Sequence, residues 1–249
     1  VNLSVKNHHI DRDFYPLGSC TMKYNPKIND ALASLPGFAN IHPDQPVETV
    51  QGALHIMYEL EQMLLKISGM SDATLQLCAG SQGEFAGLLI MKNYHEKNGE
   101  NRKYIIIPET AHGTNPASVV LSGFEPREIK SDKRGRGDIE DLKSKLDKEV
   151  AGMMLTQPNT LGLFEDKIIE IAKEIHQVGG LMYMDGANLN AMVGLCRPAD
   201  MNFDILHINL HKTFSTPHGG GGPGSGPIAV VDKLSEFLPV PRLKKNKEG

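Results

Sequence analysis

The sequence predicts an α/β fold, a mainly parallel sheet flanked by helices, and three observations predict it. From Thr74 onward, short runs of branched apolar residues alternate with longer amphipathic segments, the rhythm of strands joined by crossover helices. The runs end at turn residues such as Ala79-Gly80, Gln157-Pro158 and Asp185-Gly186. Just past those ends, or in the loops that follow, stand Gln82, His112, Thr160, Asp185 and Lys212. Open sheets of this kind gather ligands at the carboxyl ends of their strands.

Taken in order, residues 1–48 hold few periodic positions and many breakers, among them Pro16, Gly18, Pro26, Pro36, Gly37, Pro43 and Pro46. They predict a long irregular arm, of the kind that is functional or held by a partner. Val50, Leu54, Met57, Leu60, Leu64 and Ile67 recur every three or four residues and predict a helix over 49–67, closed by Gly69. Residues 74–77 read as a short strand that enters Ala79-Gly80-Ser81-Gln82-Gly83-Glu84 and a helix over 83–95. Strand, small-residue turn and helix together point free backbone N–H groups at an anion. The turn is therefore a phosphate-site candidate, although an ordinary tight connection has the same spacing. Strands follow at 103–108, 127–130, 152–156, 181–185, 205–210 and 228–231. Between them the pattern predicts helices at 116–122, at 138–150 with Asp138 as cap, and at 166–178 with Gly179-Gly180 as its close. The central unit spans 49–240, and 241–249 is a tail.

At 249 residues, 40% apolar and 22% charged, the chain has the make-up of an ordinary globular protein with one large domain or two small ones. A net charge of −4 gives no footprint for nucleic acid. The basic cluster Arg242–Lys247 reads as a solvated tail. Cys20, Cys78 and Cys196 are odd in number and far apart, with no C-x-x-C, which argues for a reducing compartment and against a structural zinc site. No apolar run reaches membrane-spanning length and the N-terminus does not read as a signal peptide, so the expected location is the cytoplasm, or a reducing organelle for a mature chain.

Chemistry concentrates between Asp204 and Gly226, where an isoleucine- and leucine-rich run ends in His211-Lys212 and opens into a loop with six glycines. A lysine brought by a strand into a pocket loses hydration and becomes an amine nucleophile. Glycines beside it let backbone approach a flat ligand. A solvent-facing lysine before a flexible loop is the plainer alternative. A pyridoxal phosphate site needs four things: a lysine for the Schiff base, a carboxylate against the pyridine nitrogen, an anion site for the phosphate and a flat group over the ring. Lys212, Asp185, the Gly80–Gln82 turn and His112 supply them in turn. Taken singly, Asp185 is equally a turn residue before Gly186, and His112 a loop histidine. Other motifs fail. Gly219-Gly220-Gly221-Gly222-Pro223-Gly224 fits G-x-G-x-x-G but opens no helix. The His218-Gly219-Gly220-Gly221 run lacks any G-x-S-x-G partner. His207 and His211, with His218 beyond, lack the Glu of H-E-x-x-H and are expected on a strand, so no metal site is expected.

Five segments carry a resemblance: Tyr15–Pro26 (YPLGSCTMKYNP), Ala79–Glu84 (AGSQGE), Ala111–Ala117 (AHGTNPA), Met184–Asn190 (MDGANLN) and Asn209–Phe214 (NLHKTF) with its glycine loop. In these the chain resembles the P-proteins of the glycine cleavage system, glycine dehydrogenase (decarboxylating), and most of all the second subunit of the two-subunit form. The resemblance implies the large domain of a fold-type I, aminotransferase-like enzyme dependent on pyridoxal 5'-phosphate. It implies Lys212 as the Schiff-base lysine, Asp185 as the partner of the pyridine nitrogen and His112 as the ring-stacking residue, these three being the catalytic set. It also implies Ser81 and Gln82 in the phosphate turn, Thr160, His211 and Ala187 as contacts of cofactor or substrate, and Ser19 and Cys20 near the site. The implied reaction is decarboxylation of glycine with transfer of the aminomethyl group to the lipoyl arm of the H-protein. A first subunit is the implied partner, in a heterotetramer with two of each. The chain stops soon after Lys212, before the smaller C-terminal domain expected of such enzymes, and so reads as a fragment. Another fold-type I enzyme, an amino-acid decarboxylase or a desulfurase, shares the Asp–Lys logic. An inactive partner-binding fragment is the non-enzymatic alternative.

Overall fold

The structure, a computed structural model, describes residues 2–6, 12–13, 24–216 and 224–246. Seven strands form one sheet: β1 (Asp72–Thr74), β2 (Tyr104–Pro108), β3 (Glu125–Ile129), β4 (Val150–Thr156), β5 (Leu181–Gly186), β6 (Ile205–Ile208) and β7 (Ile228–Val230). Their order is β1-β7-β6-β5-β4-β2-β3. β7 runs antiparallel to both its neighbours, and every other pairing is parallel. The α/β class expected from the sequence is the one observed.

Side chains alternate across each strand and feed two cores. Ile106, Met153, Leu155, Met182, Met184, Leu206 and Ile208 point to one face. There they meet Leu64 of α3 (Gln51–Ser68), Leu142 of α6 (Ile139–Ser144) and Ile171 and Ile175 of α7 (Ile168–Gln177). Ile105, Ile107, Met154, Tyr183 and Ile205 point to the other face, under Leu88 and Met91 of α4 (Gly80–Lys97) and Val119 of α5 (Thr114–Leu121). Burial on both faces explains why the central strands read as nearly unbroken apolar runs.

Several expected boundaries move, each for a physical reason. The arm carries two short helices, α1 (Lys27–Ala33) and α2 (Pro36–Ala39), because the prolines read as breakers start turns here: Pro26 is the N-cap of α1 and Pro36 lies in the first turn of α2. The strand expected at 74–77 lies at Asp72–Thr74, where β7 supplies three partners. The helix expected to reach Val150 stops at Ser144, and Val150 instead pairs with Tyr104 in the sheet. Asp138 does cap it, accepting from the N–H groups of Glu140 and Asp141. The strand expected at 205–210 ends at Ile208, and Lys212 lies in a one-turn helix, α8 (Leu210–Thr213). Leu210 is apolar because that turn buries it. Arg242 belongs to no solvated tail: it pairs with the Asp72 carboxylate, while Lys244 and Lys245 are exposed. Among the described residues no helix is long and apolar enough to cross a membrane.

Helix α4 lies unusually close to the sheet. A methyl group added at Gly87 would sit 2.2 Å from a ring carbon of the buried Tyr183. Alanine is favoured over glycine in a helix by about 1 kcal/mol, but forcing an atom into a packed core costs about 1–3 kcal/mol. Gly87→Ala is therefore expected to destabilise the fold by about 1 kcal/mol, read as a lower urea midpoint at unchanged slope. A raised midpoint would show that Tyr183 can move aside.

Candidate active site

The carboxyl ends of β4, β5 and β6 carry a row of polar residues in register: Thr156 pairs with Asp185, and Asp185 with His207. Asp185 is buried. Its Oδ1 accepts from the Ala187 N–H at 2.9 Å, and its Oδ2 accepts from Asn115 Nδ2 at 3.1 Å and from the Thr156 hydroxyl at 3.4 Å. Burial alone would raise its pKa, and that is the largest single influence. The charge of His207, the Ala187 and Asn115 donors and the charge of Lys212 together outweigh it, so Asp185 lies below the usual carboxylate range.

Lys212 is half-buried in α8, directly past β6, and its ammonium bears on Asp185. The two residues expected to flank one ring thus stand at the same end of adjacent strands. Helix α4 begins beside them: a Cβ at Gly80 would lie 2.0 Å from the Asn209 amide. Ser81 and Gln82 occupy its exposed first turn, whose N–H groups a helix leaves without internal acceptors. The Gln82 side chain folds back to accept from the Cys78 N–H at 2.9 Å.

His112 is exposed in the loop between β2 and α5, with Nδ1 2.9 Å from Thr114 Oγ1. The Thr114 hydroxyl donates to Glu84 Oε1 at 2.8 Å, and Ser118 donates to Glu84 Oε2 at 3.0 Å. The buried Glu84 carboxylate thereby ties α4 to α5 and orients the loop that holds His112. Thr160 is exposed, its hydroxyl donating to the Thr110 carbonyl. His211 is buried, its Nδ1 accepting from the Ser225 N–H at 3.2 Å under the returning loop. Ala187 is half-buried beside Asp185. Ser19, Cys20, His218 and the run Gly219–Pro223 lie outside the described residues.

Sequence reasoning assigned no role to Asn115, Tyr183, His207 or Glu84, all four buried around Asp185. The available signal was polarity in apolar surroundings, as with His207 inside Ile-Leu-His-Ile. Glu84, Asp185 and His207 each place one ligand atom within 4.8 Å of the others. Neighbouring hydroxyl, amide and N–H groups already satisfy those side chains, so the trio reads as a hydrogen-bonded network. Two buried acceptors flank the site without partners among the described residues: Asn115 Oδ1 beside Asp185, and Thr213 Oγ1 next in the chain to Lys212. A carboxylate, an amine and a helix start at the carboxyl ends of neighbouring strands, with an unpartnered acceptor beside the carboxylate, make this end of the sheet the candidate ligand site.

Comparison with known proteins points one way. The family profile described as "Glycine cleavage system P-protein" matches residues 2–243. The "Probable glycine dehydrogenase (decarboxylating) subunit 2" of Caldanaerobacter subterraneus subsp. tengcongensis is 61% identical over 248 residues, which are 99% of this chain and 51% of that protein. The protein of the same name from Thermotoga maritima is 60% identical over 249 residues, 100% of this chain and 52% of that protein. The chain spans about half the length of the curated relatives it matches. Among solved structures, glycine decarboxylase (P-protein) of the glycine cleavage system in inhibitor-bound form superposes with a TM-score of 0.76 at 23% identity, over 94% of this chain and 51% of that one. The aromatic aminotransferase from Pyrococcus horikoshii superposes with a TM-score of 0.58 at 18% identity, over 74% of this chain and 51% of that one. Both likenesses extend to the fold.

Proposed function

The chain belongs to the glycine cleavage system P-protein family, and on that premise we propose that it forms the cofactor-binding part of a cytoplasmic enzyme that decarboxylates glycine. The aminomethyl group passes to the lipoyl arm of the H-protein, and a first subunit completes the enzyme, two copies of each. Residues 49–240 are its pyridoxal-phosphate domain and 1–48 the arm.

The residues present fit pyridoxal phosphate. Asp185 is a buried carboxylate held below its usual pKa, the state required opposite a protonated pyridine nitrogen. Lys212 offers an amine at the neighbouring strand end, and the first turn of α4 offers N–H groups to a phosphate. When bound, the cofactor supplies an aldehyde for the substrate amine and a ring that accepts the electrons released with carbon dioxide. Asp185 keeps the ring nitrogen charged, and Asn115 and Ala187 fix the orientation of that carboxylate. Lys212 holds the cofactor between turnovers and moves protons at the substrate nitrogen. Ser81 and Gln82 seat the phosphate, His112 covers the ring, and Ala187, Thr160 and His211 line the approach. The observation that carries this reading is a buried Asp185 at the carboxyl end of β5 and the amine of Lys212 placed just past the carboxyl end of the paired strand β6.

Exchange of carbon between labelled bicarbonate and the carboxyl group of glycine tests it, using the full-length protein with its first subunit. Exchange is expected with glycine and to depend on lipoylated H-protein. Decarboxylation of another amino acid without H-protein would place the chain with other fold-type I enzymes instead.

A further inference from the structure

Below Asp185 lies a line of buried polar groups that the scheme above does not use. Tyr183 and Asp185 are two apart on β5 and share a face, and His207 is the β6 partner of Asp185. The Tyr183 hydroxyl is 2.7 Å from His207 Nδ1. His207 Nε2 is 3.1 Å from Asn209 Oδ1 and 3.4 Å from Asp185 Oδ1. All four side chains are buried.

The donor count places the protons. His207 Nε2 faces two oxygens that only accept, so it carries a hydrogen whether or not Nδ1 does. Nδ1 faces a hydroxyl, which can donate when the ring is neutral. Burial, and then the Glu84 and Asp185 carboxylates, push the Tyr183 pKa well up, so this phenol keeps its proton. Helix α4 holds both rings in place: a Cβ at Gly83 would lie 3.1 Å from His207 Cβ, and one at Gly87 would meet the Tyr183 ring. The remaining groups facing Asp185 are the neutral Asn115 and Thr156, the Glu84 carboxyl and the Lys212 amine.

We propose that His207 is a positioning residue for Asp185: held by the Tyr183 hydroxyl at Nδ1 and by Asn209 Oδ1 at Nε2, its ring keeps the Nε2–H 3.4 Å from Asp185 Oδ1, where it favours the charged carboxylate that faces the cofactor's ring nitrogen. The proposal rests on the pyridoxal phosphate reading above. Without this donor Asp185 binds its own proton more readily and supports a charged ring nitrogen less well. A charged ring nitrogen repels the proton on the Lys212 nitrogen, so weakening that charge lets the proton stay to higher pH.

The test uses the full-length protein assembled with its first subunit and loaded with pyridoxal phosphate. It reads the pH midpoint of the bound cofactor's absorbance change, the cofactor dissociation constant and the melting temperature of the apo protein. Asp185→Asn sets the direction and should move the midpoint alkaline. His207→Leu and Tyr183→Phe should move it the same way by about half a pH unit or more, and weaken cofactor binding by about tenfold. His207→Gln, which restores an N–H near Nε2, should recover most of the shift. Tyr183→Phe added to Asp185→Asn should move the midpoint no further. Tyr183→Phe keeps the ring that fills the core, so it answers the question even if His207→Leu fails to fold. Midpoints that stay at the wild-type value in His207→Leu and Tyr183→Phe while melting temperatures fall would make this line of groups purely structural and overturn the proposal. A wild-type protein with no lysine-bound cofactor band would remove the site reading itself, and the proposal with it.

Discussion

If Lys212 holds the cofactor as proposed, Lys212→Ala is expected to abolish borohydride-stable attachment of pyridoxal phosphate and to lower glycine-dependent exchange by at least about 10⁴-fold. The fold should survive the change. Lys212 is half-buried at the end of a one-turn helix, and alanine is a good helix former, so the melting temperature should stay close to wild type. Reduction of the loaded wild-type protein followed by peptide mapping checks the assignment. A label on the peptide containing Lys212 is the expected result, and a label on any other lysine overturns it.

Asp185 carries the second large effect, and two substitutions divide its roles. Asp185→Ala leaves Asn115 Nδ2 and the Ala187 N–H without an acceptor in a buried place, at about 1–3 kcal/mol for each stranded donor. Activity and stability should fall together. Asp185→Asn keeps the shape and one acceptor but not the charge. It should lose activity by about 10²–10⁴-fold, the scale of an electrostatic partner acting on developing charge, with a smaller loss of stability. The pH dependence follows from the sign of the shift. The folded-state pKa of Asp185 is depressed, so its contribution to stability is present above the unfolded value of about 3.9 and is lost as pH falls through the folded value. Melts from about pH 4 downward should therefore show Asp185→Asn losing less stability than wild type over that window. Parallel loss in both proteins would mean that the folded-state pKa of Asp185 is not depressed.

The sequence disclosed the sheet through local signals, and what it concealed was non-local. The end of β5 was legible because its apolar run stops at Asp185-Gly186, whereas the run that continues to His211-Lys212 overshoots β6, which ends at Ile208. Turn chemistry was legible too: Gly69 takes the left-handed conformation at the end of α3, as expected. The reversed strand β7 between β1 and β6 was not legible, because no residue pattern distinguishes a parallel from an antiparallel three-residue strand. The α8 turn was hidden because Leu210 continues the apolar run whichever way the backbone goes. Asn115, Tyr183 and His207 escaped notice because each acquires its meaning from a residue tens of positions away, and only strand pairing brings those partners together. The glycines of α4 read as a small-residue turn, whereas two of them, at 83 and 87, clear space for the rings of His207 and Tyr183.

The alignment of Thr156, Asp185 and His207 across three neighbouring strands has a consequence for how this chain tolerates change. A deletion or insertion of one residue within β5 would rotate Asp185 to the opposite side of the sheet and, in the same movement, exchange the packing sides of Met182, Tyr183 and Met184. Chemistry and foldability are therefore coupled by the same pairing, and an indel in this strand should be eliminated as a folding defect before it is ever exposed as a catalytic one.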